Sequence, residues 1–382
     1  MFIFKVIKSN KIYKKAINYL CDILGLKYQF FNRKVLLKLN YEVVISKKKT
    51  KLSKEFYRDI LKILDQKDEI NIDSTWFNIA DEYHKNFINK VKADESNLEI
   101  ILDNPSKFNL FYGFDNNCAS HLKTIRPRYI DYFQNNELVI DKILNLAQFL
   151  GILRHNNPER YMLVGNKKPN IETLIDKIEE RLKIKLSFKN VFPGEEGIKT
   201  SRGILSNREI QAIYQAYKIK EICKKNNYKK VLEIGGGLGR TAYYCRRFGI
   251  KDFTLVDLLI PRICQLNYLA RVISENEVLS EKKITDLESI EEKFKIISPD
   301  FLFKNCNNFD LIFNSDSITE IDSLTQSKYI SFIKDNSKYF YSINHESNRH
   351  RVIDLFDKFK IEETERNLYW LRKGYLEEHF KF

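Results

Sequence analysis

The sequence predicts an α/β protein: a Rossmann-like parallel sheet over residues 201–382, preceded by a mainly helical N-terminal domain over residues 1–200. Three observations predict it. Apolar residues recur at spacings of three and four up to about Thr200. Beyond it, short Val, Ile, Leu and Phe runs alternate with helical stretches. The first of those runs enters the turn Gly235-Gly-Gly-Leu-Gly239 and then another helix.

The N-terminal stripes are three. Trp76, Ile79, Tyr83, Phe87 and Val91 form one helix face behind the N-cap candidates Asp73 and Ser74. Val139, Ile143, Leu146 and Leu150 form the second, and Ile171, Leu174, Ile178 and Leu182 the third. Such stripes read as core. Asn104-Pro105, Arg126-Pro127, Asn157-Pro158 and Gly165 to Pro169 punctuate this half, which shows no internal repeat.

After Phe192-Pro-Gly194 and Ser201-Arg-Gly203 the texture changes. Asn207 reads as the cap of a helix with Ile210, Ile213, Tyr214 and Tyr217 on its apolar face. Val231 to Ile234, Phe253 to Val256, Leu311 to Phe313 and Phe340 to Ile343 are the strand candidates, and Arg366 to Glu378 is expected to carry the last strands. Strands alternating with helices imply parallel pairing through right-handed crossovers.

Val231-Leu-Glu-Ile-Gly-Gly-Gly-Leu-Gly239 therefore reads as strand, glycine turn and helix start. Glycines there let a ligand approach the backbone, and the helix start offers free N–H groups to a negative group. A dinucleotide fingerprint counted from Gly235 and Gly237 would need a small residue where Arg240 stands, which disfavours NAD. The spacing that fits is E-x-G-x-G-x-G, with Glu233, Gly235, Gly237 and Gly239. Asp257 closes the next strand some two dozen positions after Glu233, near the roughly 20-residue offset of a carboxylate that binds a ribose diol.

At these residues the chain resembles the sugar O-methyltransferase family of bacterial surface-glycan loci, within the class I S-adenosylmethionine-dependent methyltransferases. The resemblance rests on Thr200-Ser-Arg-Gly203, Val231 to Tyr244, Leu255-Val-Asp257, Asn314-Ser-Asp-Ser-Ile-Thr-Glu320, Ser342-Ile-Asn-His-Glu346 and Tyr369 to Glu378, roughly the last half of the chain. It implies S-adenosylmethionine as cofactor, bound by Glu233, Gly235, Gly237, Gly239, Asp257 and Asn314. It also implies methyl transfer to a sugar hydroxyl in capsule or lipopolysaccharide synthesis, on a sugar nucleotide or on a lipid-linked or polymeric glycan.

In such a sheet the residues just past the fourth and fifth strands face the reacting methyl, which singles out Asn314, Ser315, Asp316 and Glu320, then Asn344, His345 and Glu346. The attacking hydroxyl must lose a proton. His345 is the first candidate base, since an imidazole side chain can exchange a proton near neutral pH. Asp316 is the rival base or the group that orients the ring, and Glu320 belongs to the same catalytic set; Asp316 and Glu320 also suit helix caps. Asp316, His345 and Glu346 are a candidate divalent-metal set, though no dense acidic cluster accompanies them and a metal is not favoured. Trp370, Arg372 and Tyr375, with Arg202 and Glu346, are the candidate acceptor-binding residues, the arginines suiting a phosphate or carboxylate.

The 43% hydrophobic and 13% aromatic content of the 382 residues supports folding nearly throughout. A net charge of +14 admits an acidic partner, but the lysines are spread along the chain. A nucleic-acid or other small-molecule methyltransferase is an alternative; against the former, Asn314-Ser-Asp-Ser lacks the Asn/Asp-Pro-Pro-aromatic turn of base amino-methylating enzymes, and no RNA-binding module is visible. A binding protein that keeps the fold without the chemistry is another. The six cysteines show no C-x-x-C pair or metal spacing, which fits a reducing cytosol. The opening residues show no signal-peptide core or spanning run, so a cytoplasmic location is expected. Lys5, Lys8, Lys11, Lys14, Lys15, Arg33, Lys34 and Lys47 to Lys49 alternate with apolar residues. They could hold the chain at the inner face of the plasma membrane, or simply solvate a packed helix.

Overall fold

The computed structural model describes residues 43–47, 50–66, 75–115, 129–154, 170–284, 290–306 and 308–382. Residues 1–42, which carry most of the basic N-terminal segment, lie outside this set, as do the cap candidates Asp73 and Ser74.

A short strand β1 (Val43–Ile45) leads into a series of helices: α1 (Lys54–Leu61), α2 (Thr75–Ile79), α3 (Lys85–Ala93), α4 (Asn97–Asp103), α5 (Tyr129–Phe149) and α6 (Ile171–Leu182). A π turn at Ala80–His84 joins α2 to α3. The extra residue in that turn rotates one part of the predicted stripe against the other. Phe87 and Val91 are buried in the core, while Trp76 is half-buried and faces a cavity.

The hairpin β2 (Glu196–Thr200) and β3 (Gly203–Leu205) pairs antiparallel with β1 to make a three-stranded sheet. Then comes α7 (Asn207–Asn226). Its N-cap is Ser206 rather than Asn207, because the Ser206 hydroxyl accepts from the Glu209 amide at 3.2 Å.

From there strands and helices alternate: β4 (Lys230–Ile234), α8 (Arg240–Arg247), β5 (Asp252–Val256), α9 (Leu259–Val272), β6 (Val278–Ser280), β7 (Phe294–Ile297), α10 (Pro299–Asn305), β8 (Phe309–Ser315), α11 (Ser323–Asn336), β9 (Ser337–His345), α12 (Val352–Leu355), β10 (Glu363–Leu368) and β11 (Tyr375–Lys381). They form one eight-stranded sheet in the order β10-β11-β9-β8-β4-β5-β7-β6. The pairs from β9 to β6 are parallel, and β11 runs antiparallel to both β9 and β10. This is the Rossmann-like α/β architecture that the sequence predicts.

Period-two alternation sends each strand's residues to two cores. Val231, Phe253, Leu255, Leu311 and Phe313 face one side, where they join the apolar residues of α4 to α9 in a single cluster. Leu232, Ile234, Val256, Ile312 and Phe340 face the other, against α10, α11 and α12. The chain runs outward from β4 through β5 to the edge strand β6, steps back to β7 between β5 and β6, and then crosses to β8 on the other flank of β4. The direction of winding thus reverses between β4 and β8, where open α/β sheets bind ligands. No helix among the described residues is long and apolar enough to cross a membrane.

Candidate functional site

A cavity of about 800 Å³ opens over the carboxyl ends of β4 and β8, a volume in the range of pockets that hold small molecules. The turn after β4 supplies its floor. Gly235, Gly237 and Gly239 have φ of +70°, +56° and +85°, which side chains rarely adopt. Gly235 is tightest: a Cβ there would lie 2.2 Å from Ser317 Oγ. A Cβ at Gly237 would meet only Phe114, at 3.5 Å, so space above this glycine is open to a ligand.

Asp257, at the end of β5, is tied to the turn. Its Oδ2 accepts from the Gly237 amide at 3.3 Å and from Gln265 Nε2 at 2.8 Å, and its Oδ1 from the Leu258 amide at 2.9 Å. Glu233 is fully buried beneath the turn. Burial, with the like charge of Asp257 adding to it, pushes its carboxyl up to about 8 despite its hydrogen bond with Thr241. Glu233 Oε2 has no hydrogen-bond partner within the protein. A buried acceptor without a partner beside an open glycine turn is suited to a ligand donor.

Asn314, expected to touch a cofactor, is instead a brace. It is fully buried, its amide nitrogen donates to Ile234 O at 2.9 Å and to Ser317 Oγ, and its oxygen accepts from Asn344 at 2.8 Å. It thereby holds the ends of β4, β8 and β9 in register.

Past β8, Asp316 adopts φ +56° and donates its amide to Ile343 O at 2.9 Å, which turns its side chain into the cavity. Both carboxylate oxygens are held at 2.8 Å, one by Arg372 Nη1 and the other by the Tyr375 hydroxyl. Glu320 also lines the cavity. Burial pushes its carboxyl up to about 7 and the Asp316 charge adds to this, against the hydrogen bond of Trp76 and the charges of Arg208 and Arg372.

His345 lies behind Asp316, Nε2 at 3.9 Å from Oδ1, and its Nδ1 is engaged by the Ser347 hydroxyl. It is not part of the cavity wall. One ligand atom each from Asp316, Glu320 and His345 lies within 4.8 Å of the others. Glu346 is not in this group: it pairs with Arg366 at the sheet edge, so Glu320 stands where the sequence placed Glu346.

Of the candidate acceptor residues, Arg372 and Tyr375 line the cavity and Arg202 and Trp370 do not. Arg202, in the β2–β3 hairpin, is committed to Glu172, Asp176 and Glu179 of α6; it ties the hairpin to that helix. Trp370 donates to Asn145 O at 2.6 Å and packs on Phe149.

Sequence reasoning missed the contribution of the N-terminal half. Trp76, Gly113, Phe114 and Asp115 roof the cavity. Asp115 pairs with Arg240, the first residue of α8, at 3.0 Å, and Glu195 and Glu209 complete the guanidinium's partners. Burial works against the Arg240 charge, and the carboxylates of Asp115 and Glu209 outweigh it. This is why a large residue follows the glycine turn.

No family model matches the chain, and no curated protein matches it. Its fold is similar to solved structures of low identity. The methyltransferase domain of bacterial CtHen1 is 9% identical over 44% of this chain and 97% of that one, with a TM-score of 0.32. The pyocyanin biosynthetic protein PhzM is 13% identical over 42% and 53%, with a TM-score of 0.31. Magnesium protoporphyrin IX methyltransferase (ChlM) from Synechocystis PCC 6803, with bound S-adenosylmethionine, is 12% identical over 46% and 83%, with a TM-score of 0.31.

Proposed function

We propose that this chain is an S-adenosylmethionine-dependent O-methyltransferase acting on a sugar hydroxyl in bacterial surface-glycan synthesis. The observation that carries the reading is the joining of the Glu233 to Gly239 turn to the Asp257 carboxylate at the point where the sheet reverses, beneath a cavity whose other end holds Asp316 and Glu320. The residues present fit the cofactor. Asp257 offers a carboxylate to the ribose diol, Gly237 leaves room for the ligand, and Glu233 Oε2 lacks a partner.

When bound, S-adenosylmethionine supplies a methyl group activated on a sulfonium. The chain's own residues do the rest. Glu320, held near neutrality by burial, takes the proton of the acceptor hydroxyl. Asp316, fixed by Arg372 and Tyr375, aligns that hydroxyl, and His345 backs Asp316. The acceptor is a sugar nucleotide or a lipid-linked or polymeric glycan met in the cytoplasm, and the basic N-terminal segment would bring the enzyme to the inner membrane face.

The test has two parts. Calorimetry should show saturable binding of S-adenosylhomocysteine and none of NAD; the converse rejects the cofactor. Mass spectrometry of surface glycan from cells with and without the gene should differ by one methyl group per repeat; identical glycans reject the acceptor.

A further inference from the structure

Helix α7 turns one stripe toward the cavity. Arg208, Gln211, Ala212 and Gln215 all line it, at the i, i+3, i+4, i+7 spacing of a single helix face. At the inner end of the stripe, Gln215 donates to Ser315 Oγ at 2.9 Å and accepts from Thr241 Oγ1 at 2.7 Å. These bonds fix Gln215 at the level of the strand ends and the glycine turn. Arg208 stands two turns, roughly 10 Å, nearer the helix start at 1.5 Å per residue. It therefore sits beyond the cofactor turn, at the end of the cavity where its charge acts on Glu320, Tyr369 and Tyr375.

The other three arginines of the cavity wall are committed. Arg240 serves Asp115, Glu195 and Glu209; Arg262 serves Glu281 and Gln66; Arg372 serves Asp316. Among the described residues, Arg208 makes no hydrogen bond or ion pair. Its surroundings carry both signs: its charge reaches Glu320 and also the buried Lys142, whose ammonium burial, Arg208 and Arg372 draw down to about 7 against the carboxylates Asp141 and Asp316. A half-buried guanidinium with no hydrogen bond or ion pair of its own, beside the carboxylates Asp316 and Glu320 that are bonded to Arg372, Tyr375 and Trp76, keeps its donors for an anionic ligand.

We propose that Arg208 is a specificity-determining residue that receives an anionic group of the methyl acceptor, a carboxylate or a phosphate, through its planar fork of donors. The inference rests on the methyl-transfer reading of the cavity and names the class of its acceptor: an acidic sugar or a phosphorylated one, not a neutral one.

Trp76 reports on this site, since it lines the cavity and bonds to Glu320. Its fluorescence should be followed in the full chain saturated with S-adenosylhomocysteine while glucuronate, glucose 1-phosphate or glucose is added. Glucuronate or glucose 1-phosphate should give a saturable change and glucose none; which of the two binds decides between carboxylate and phosphate. Arg208→Gln should raise that Kd at least tenfold, Arg208→Lys should recover part of the loss, and affinity for S-adenosylhomocysteine should stay unchanged in both. The proposal is overturned by equal anion affinity in Arg208→Gln, by no saturable response to either anion, or by a tenfold loss of S-adenosylhomocysteine affinity in Arg208→Gln, which would assign the arginine to the cofactor. If the wild-type chain binds no S-adenosylhomocysteine, the methyl-transfer reading fails by itself, and the same titrations without it still decide whether Arg208 holds an anion.

Discussion

The Gly237 amide donates to Asp257 Oδ2 at 3.3 Å, so the glycine turn after β4 and the carboxylate that ends β5 form one hydrogen-bonded unit. Asp257 also holds Leu258 and Gln265. Asp257→Ala would remove a charged acceptor from the ribose hydroxyls and loosen the turn together. Its affinity for S-adenosylmethionine should fall by about 1.5–3 kcal/mol, the worth of a hydrogen bond to a charged group. Calorimetry reads this directly, and an unchanged dissociation constant would place the ligand elsewhere.

The glycines of the turn should separate into two kinds. Gly235→Ala puts a Cβ 2.2 Å from Ser317 Oγ at φ +70°, so Ser317 must shift and its bonds to Asn314 and Ile234 O are disturbed. A loss on the order of 2–3 kcal/mol in urea unfolding is expected, combining left-handed strain with the clash. Gly237→Ala meets only Phe114, at 3.5 Å. It should cost about 1 kcal/mol of stability while still weakening cofactor binding, because the new methyl group occupies the open side of the turn. Equal destabilisation by both would mean that Gly237 also serves the fold.

How much of this was legible in the sequence depends on the range of each interaction. Glu233, the glycines and Asp257 are close in sequence and marked by strand alternation, and they come together in the structure. Strands β6 and β7 went unplaced because Val278–Ser280 is only three residues long and because Phe294–Ile297 contains Lys295. That lysine is buried through a 2.6 Å pair with Asp252, a partner no local pattern announces. Asp115 and Arg240 are 125 residues apart, and Trp76 reaches the cavity through a π turn that apolar spacing does not reveal. Arg202 looked like an anion ligand because the carboxylates of α6 that neutralise it sit on a separate apolar-striped helix. Asn314 was read for its place after β8; its burial and its bonds to the neighbouring strands decide its role.

Glu320 sets the expected pH dependence of methyl transfer. A base must be ionised, and burial raises this carboxyl to about 7. The rate should therefore climb with pH through a single limb near 7 and level off above it, rather than rise near 4.5 as for a solvated carboxyl. Glu320→Gln should lower kcat by roughly 10²–10⁴ with cofactor affinity intact. His345→Ala should lower it less, because the imidazole touches the carboxylate Asp316 and not the cavity. A pH limb that survives in Glu320→Gln and vanishes in His345→Ala would return the base to the histidine.

The last expectation concerns Arg240, which fastens the N-terminal roof to the first turn of α8 through Asp115 and holds Glu195 and Glu209 as well. Removing one side of a buried ion pair is costly because the charge left behind has neither water nor partner, and about 3–5 kcal/mol is expected for Arg240→Ala. The cost should depend on pH, and the sign follows from the carboxyls. Burial already lifts Glu195 to about 7 and raises Glu209, and without the guanidinium both go higher still. A folded-state carboxyl raised above its unfolded value contributes stability at low pH that is lost as pH rises. The gap between wild type and Arg240→Ala in urea unfolding should therefore be widest above pH 7 and narrow toward pH 5, where the stranded carboxyls hold protons. Asp115→Asn, which leaves Arg240 two carboxylates, should lose much less stability yet weaken cofactor binding by freeing the roof over Gly237. A gap in Arg240→Ala that stays constant with pH would attribute the loss to packing against Tyr268, whose ring centroid lies 5.2 Å from the guanidinium, and not to stranded charge.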